Sequence, residues 1–123
     1  MMIYGIGNDL AEISRIKKSM ENDRFAAFVF SKRERALFAR NCAKLTGCFA
    51  AKEALAKALG TGVRGFSLDE ISVLRDELGK PYFEFEGCIE EIVTREGLTA
   101  HLSLTDTDEL CCAFVVLERQ TAR

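Results

Sequence analysis

Phe49-Ala50-Ala51-Lys52-Glu53-Ala54-Leu55-Ala56-Lys57-Ala58-Leu59-Gly60-Thr61-Gly62 reads as an amphipathic helix that runs into a glycine turn. Ala, Leu, Lys and Glu favour helix, and no proline or β-branched residue intervenes before Thr61. Gly60 stands where a C-cap glycine belongs. Leu45, Cys48, Ala51, Leu55 and Leu59 recur at steps of three or four and share one side. Phe49, Glu53 and Lys57 are spaced i, i+4, i+8 and line up on a neighbouring stripe. An acid and a base one turn apart, just before Gly-Thr-Gly, suit a site that holds a metal and a phosphate. They also suit an ordinary Glu–Lys pair on a solvated face, worth about 0.3–0.5 kcal/mol, and spacing alone favours that simpler use.

The chain around this helix has 123 residues, which makes one domain over 1–123 rather than two. No proline-rich linker, repeat or low-complexity run divides it, and Pro81 is the only proline. No apolar stretch reaches membrane-spanning length, and no basic segment leads into an apolar h-region. The five cysteines, at 42, 48, 88, 111 and 112, are odd in number and form no Cys-x-x-Cys pair. That disfavours a disulfide framework or a zinc site and fits reduced thiols in a cytoplasmic protein. The net charge of −2 argues against nonspecific nucleic-acid binding. Between Ser14 and Arg40, however, eight basic residues stand against three acidic ones. Such an arm serves to steer an acidic partner, or is simply a solvated helical surface.

Working outward, residues 2–9 read as a strand, with Gly5 and Gly7 marking a bend or a close backbone approach. A helix follows from about Glu12 or Ser14 to Glu21, and Asp23 is placed to cap a short helix over 24–30. Ser31 and Glu34 make a capping box for 32–40, and the long helix spans about 43–59. Beyond Gly65 the period falls to two, with Ile71, Val73 and Arg75 on one face of a strand that turns through 76–81 into a return strand, 82–86. Residues 87–96 are helical, and 100–104 with 110–118 form a last hairpin. The order predicts an α+β fold with an antiparallel sheet.

The segment Ile3-Tyr4-Gly5-Ile6-Gly7-Asn8-Asp9-Leu10-Ala11-Glu12-Ile13-Ser14-Arg15-Ile16, taken with 49–62, resembles the holo-acyl carrier protein synthases, the small 4′-phosphopantetheinyl transferases. That family opens with Gly-Ile-Gly-x-Asp-(Ile/Leu)-x-Glu-(Ile/Leu)-x-Arg-Ile. Its middle helix carries (Trp/Phe)-Ala-x-Lys-Glu-Ala-x-x-Lys-Ala-x-Gly-Thr-Gly. Ser103-Leu104-Thr105-Asp106-Thr107, before a strand at 113–118, is a third matching block, and all three stand in family order. The resemblance implies an antiparallel sheet packed against the long helix. It also implies Mg²⁺-dependent transfer of 4′-phosphopantetheine from coenzyme A to a serine of an acyl carrier protein, by default in fatty-acid synthesis. Adenosine 3′,5′-bisphosphate is the other product.

By the same resemblance, Asp9 and Glu53 are the carboxylates for Mg²⁺, and Lys57 is the lysine near the pyrophosphate. Lys52 either reaches the diphosphate or covers the surface. Gly60, Thr61 and Gly62 either present backbone N–H groups to phosphate or simply end the helix. The base that takes the serine proton is Glu53 or a metal-bound water held by Asp9. His101, the only histidine, sits in a predicted strand and has a substrate-side role or none. Asp106 stands where many relatives have histidine; its charge would repel a phosphate, and capping the turn is the alternative. Arg15, Lys18 and Arg24 form the carrier-protein surface, while Phe28 and Cys48 depart from basic residues common in relatives. A single unit would need a neighbour, and the resemblance to the small, trimeric family members implies a homotrimer with sites between subunits.

Overall fold

The computed structural model describes residues 1–120. It begins with β1 (Met2–Glu12), followed by three short helices, α1 (Ile13–Ser19), α2 (Asp23–Val29) and α3 (Lys32–Phe38), and the long helix α4 (Cys42–Leu59). A 3₁₀ turn at Leu68–Glu70 leads to β2 (Ile71–Arg75) and β3 (Pro81–Phe85), then α5 (Gly87–Glu96), β4 (Leu98–Asp106) and β5 (Leu110–Arg119). The main sheet has the order β1-β5-β4, antiparallel throughout, and β2-β3 is a separate hairpin. This is the expected α+β arrangement, with α4 packed on one face of the main sheet.

The local signals explain most element ends. The Ser31–Glu34 capping box forms, Asn41 caps α4 through Lys44 N, and Gly60 closes α4 in the left-handed region at φ 82°. Two expectations change. β1 runs on to Glu12, because Leu10, Ala11 and Glu12 pair with Cys112, Cys111 and Leu110 of β5. Asn22, not Asp23, caps α2, its Oδ1 accepting from Arg24 N at 2.9 Å and from Phe25 N.

α4 is buried on nearly every side. Leu45, Cys48, Ala51, Leu55 and Leu59 are in the core as their spacing predicts, and so are Ala50, Ala54 and Ala58. Only the stripe of half-buried Phe49 and Glu53 and exposed Lys57 stays open over these turns. Against β1 the two backbones nearly touch. A Cβ on Gly5 would lie 1.9 Å from Ala58 O, and one on Gly7 2.0 Å from Ala54 O. The glycines therefore mark a close approach, one of the two uses expected of them.

This contact sets a register. The strand advances two residues, about 6.6 Å, while the helix retreats four, about 6 Å. Gly5 meets Ala58 and Gly7 meets Ala54, so Asp9, next on the same face of β1, falls along the turn Ala50–Ala54 that carries Glu53.

Candidate active site

Asp9 and Glu53 face a cleft of about 330 Å³ between β1, α1, α2 and α4. Phe25 and Phe49 wall it, their ring centroids 6.5 Å apart, and Arg15 and Ser19 stand on its α1 side. Lys57 Nζ lies 3.4 Å from Asp9 Oδ1; the lysine side chain is 55% exposed and the aspartate's 18%. Burial and then the Asp9 charge push the Glu53 carboxyl above its ordinary range, against the pull of Lys57. The site thus brings the Asp9 carboxylate of β1 to the Glu53 carboxylate and the exposed Lys57 ammonium on the open stripe of α4.

Among the described residues, no cluster of three or more His, Cys, Asp or Glu side chains is placed to hold a metal ion. Mg²⁺ does not need one: one or two carboxylates with waters and substrate phosphates suffice, so an Asp–Glu pair left in mutual repulsion fits that ion.

The other expected site residues fall in four places. Arg15, Lys18 and Arg24 are exposed, and Arg15 lines the cleft. Thr61 and Gly62 lie on the exposed loop after α4, where Thr61 Oγ1 donates to Gly62 O at 3.2 Å. Gly60 N donates to Lys57 O at 3.0 Å, so at that residue the N–H ends the helix. His101 is on the opposite face of the sheet, across from Val116, with Nε2 2.6 Å from Glu118 Oε1. The cleft and His101 of one chain are therefore separated by the sheet.

Lys52 requires a correction. It neither covers the surface nor points to the cleft: its side chain is 0% exposed, with Nζ 2.6 Å from Glu34 Oε1 and 2.7 Å from Val29 O. One residue along a helix rotates by about 100°, which carries Lys52 into the core while Glu53 faces the cleft. Burial pulls the ammonium below the ordinary lysine range, and the adjacent Glu34 carboxylate opposes this. Asp106 does not cap its turn either; Thr107 Oγ1 does, accepting from Glu109 N and Leu110 N at 3.2 and 3.0 Å. Cys48 is a core thiol that donates to Val73 O at 3.8 Å, and burial with the Glu34 charge pushes it far above the ordinary thiol range. The reading from sequence missed Phe25 as a cleft wall; its place in a short helix, after Asp23 and Arg24, gives no sign of the aromatic partner on α4.

The family model described as the 4′-phosphopantetheinyl transferase superfamily matches residues 5–115. A holo-[acyl-carrier-protein] synthase of Nitrosospira multiformis is 48% identical, covering 96% of this chain and all of the relative. One from Lachnoclostridium phytofermentans is 40% identical over 95% of this chain and 97% of the relative. Among solved structures, the synthase of Neisseria meningitidis superposes with a TM-score of 0.89 at 36% identity, over 96% of this chain and 100% of that one. The Bacillus anthracis synthase, solved in complex with CoA (3′,5′-ADP), gives 0.82 at 34% identity over 98% and 100%. The chain belongs to the 4′-phosphopantetheinyl transferase superfamily, among its holo-[acyl-carrier-protein] synthases.

Proposed function

We propose that this chain carries out its family's transfer at the Asp9–Glu53 cleft. The reaction moves 4′-phosphopantetheine from coenzyme A to a serine hydroxyl of an acyl carrier protein. The serine oxygen forms a bond to phosphorus, the bond to the leaving phosphate breaks, and adenosine 3′,5′-bisphosphate departs. The observation that carries this reading is the pair of carboxylates from β1 and α4 in one cleft, beside the close glycine contact of the two elements, with Lys57 next to Asp9.

Asp9 and Glu53 would hold Mg²⁺, which would supply positive charge for the diphosphate oxygens at this end of the cleft. Lys57, more than half exposed and only loosely paired with Asp9, swings to the diphosphate and offsets negative charge as the leaving phosphate forms. Thr61 and Gly62 follow just past the end of the helix that carries Lys57, where a coenzyme A phosphate tail would pass. Lys57→Ala is expected to lower kcat by about a hundredfold, with little change in melting temperature because the side chain is exposed. Steady-state kinetics beside a thermal melt checks this.

Arg15 lines the cleft, Lys18 and Arg24 are exposed on the helices α1 and α2 that border it, and the three suit an acidic carrier protein. Arg15→Glu is expected to raise the carrier KM about tenfold at low salt, with the difference shrinking as salt rises. The outer face of the main sheet carries exposed Ile3, Ile6, Leu10 and Phe114, at 66, 60, 63 and 45%. Such a face supports a homotrimer packed through it, which would bring His101 to a neighbouring subunit's substrate. Native mass spectrometry would show three chains; a monomer would remove both the trimer and the His101 role.

The test of the activity is mass spectrometry of an apo-acyl carrier protein incubated with this chain, coenzyme A and Mg²⁺, with and without a chelator. The expected result is a gain of one phosphopantetheine on the carrier that the chelator abolishes. No gain on any of several carrier proteins would leave a coenzyme A-binding module without transfer activity.

A further inference from the structure

The buried network around Lys52 has no part in the cleft and is more elaborate than a helix needs to stay in place. Lys52 Nζ donates to Glu34 Oε1 and to Val29 O, and the Phe30 ring lies 5.4 Å from it. Glu34 Oε1 also accepts from Ser31 N at 2.9 Å, and its Oε2 accepts from Val73 N at 2.8 Å. Ser31 Oγ accepts from Glu34 N, and Ser72 Oγ lies 2.7 Å from it. Both charged side chains are 0% exposed. One ion pair thus ties together the end of α2, the start of α3, the middle of α4 and strand β2.

The remaining packing of α4 explains what this accomplishes. Where α4 meets β1, its surface is alanine against glycine. That contact fixes the height of α4 along β1, but it carries no directional bond to fix rotation. Directional bonds at Lys52, on another side of the helix, supply that. Lys52 immediately precedes Glu53, so a bond that fixes the azimuth of one fixes the azimuth of the other.

We propose that the Glu34–Lys52 pair is a positioning device for the transfer. It sets the rotation of α4, whose height the glycine contact fixes, so that Glu53 meets Asp9 across the cleft. Neither residue touches substrate. The role rests on the reading of Asp9 and Glu53 as the site, and the test separates the two.

The test is the double variant Lys52→Met/Glu34→Gln, which removes the ion pair without leaving a lone buried charge. It is assayed as the full chain, well below its melting temperature, for kcat, carrier KM and half-saturating Mn²⁺ by electron paramagnetic resonance. The expected result is a fall in kcat and a rise in half-saturating Mn²⁺, each by about tenfold to a hundredfold, with carrier KM unchanged. A merely structural pair would move the melting temperature but neither of those two readouts. A folded double variant with parental kcat and Mn²⁺ binding overturns the proposal. Glu53→Gln is run in parallel: if it retains full turnover, the site reading fails and takes the positioning role with it. If Glu53→Gln is inactive while the double variant is normal, only the positioning role fails. Glu34→Asp, which keeps both charges but shortens the carboxylate's reach to Lys52 and Val73 N, is the second variant and is expected to show a smaller shift in the same direction. If neither variant folds, the pair is a condition of the fold itself and the positioning role is overturned.

Discussion

Glu53→Gln is expected to cut turnover by about a hundredfold or more while leaving the fold intact. The amide keeps the size of the side chain and loses the charge that Mg²⁺ requires. The effect on stability has a definite sign. Burial and the Asp9 charge raise the Glu53 pKa in the folded state, so ionised Glu53 opposes folding at neutral pH. The variant should therefore melt no lower than the parent at neutral pH. Any gain should fade as pH falls and Glu53 becomes protonated in both folded and unfolded states. Kinetics and thermal melts across pH check both halves. Full turnover would remove Glu53 from the site, and a lower melting temperature at neutral pH would contradict its strained environment.

Gly7→Ala is expected to destabilise the protein by about 3 kcal/mol, a large cost for one methyl group. The new carbon would lie 2.0 Å from Ala54 O and 2.8 Å from Ala58 N, both backbone atoms of a helix that is buried on nearly every side. No side chain can rotate away to make room. The helix must lift from β1, which also separates Glu53 from Asp9. Turnover of the remaining folded protein should fall as well, so the loss of activity exceeds the loss of folded fraction. Urea unfolding and activity normalised to folded protein measure the two effects. A variant within about 0.5 kcal/mol of the parent would mean that the backbones are not in contact there.

How much of this was legible in the sequence depends on how local each signal is. The long helix, its left-handed stop at Gly60, the Ser31–Glu34 box and the final hairpin all rest on periodicity or on neighbours within four residues. The open stripe of Phe49, Glu53 and Lys57 could be read the same way. Lys52 could not. It reads as a surface lysine until Glu34, eighteen residues earlier, is folded against it. The extension of β1 to Glu12 depends on β5, about a hundred residues away, and no local pattern announces it. Alternation on β4 marks His101 as exposed, but which face it shares with the cleft depends on the β1-β5-β4 order and on the side α4 covers. Gly5 and Gly7 indicated a close approach without naming the helix that makes it.

In the proposed reaction Asp9 and Glu53 together hold the metal used in the transfer. Mn²⁺ titration of the full chain with coenzyme A present, followed by electron paramagnetic resonance, tests it. Parental protein should bind Mn²⁺ saturably, and Asp9→Asn and Glu53→Gln should each weaken that binding by at least about tenfold. Binding unchanged in both variants would contradict the account.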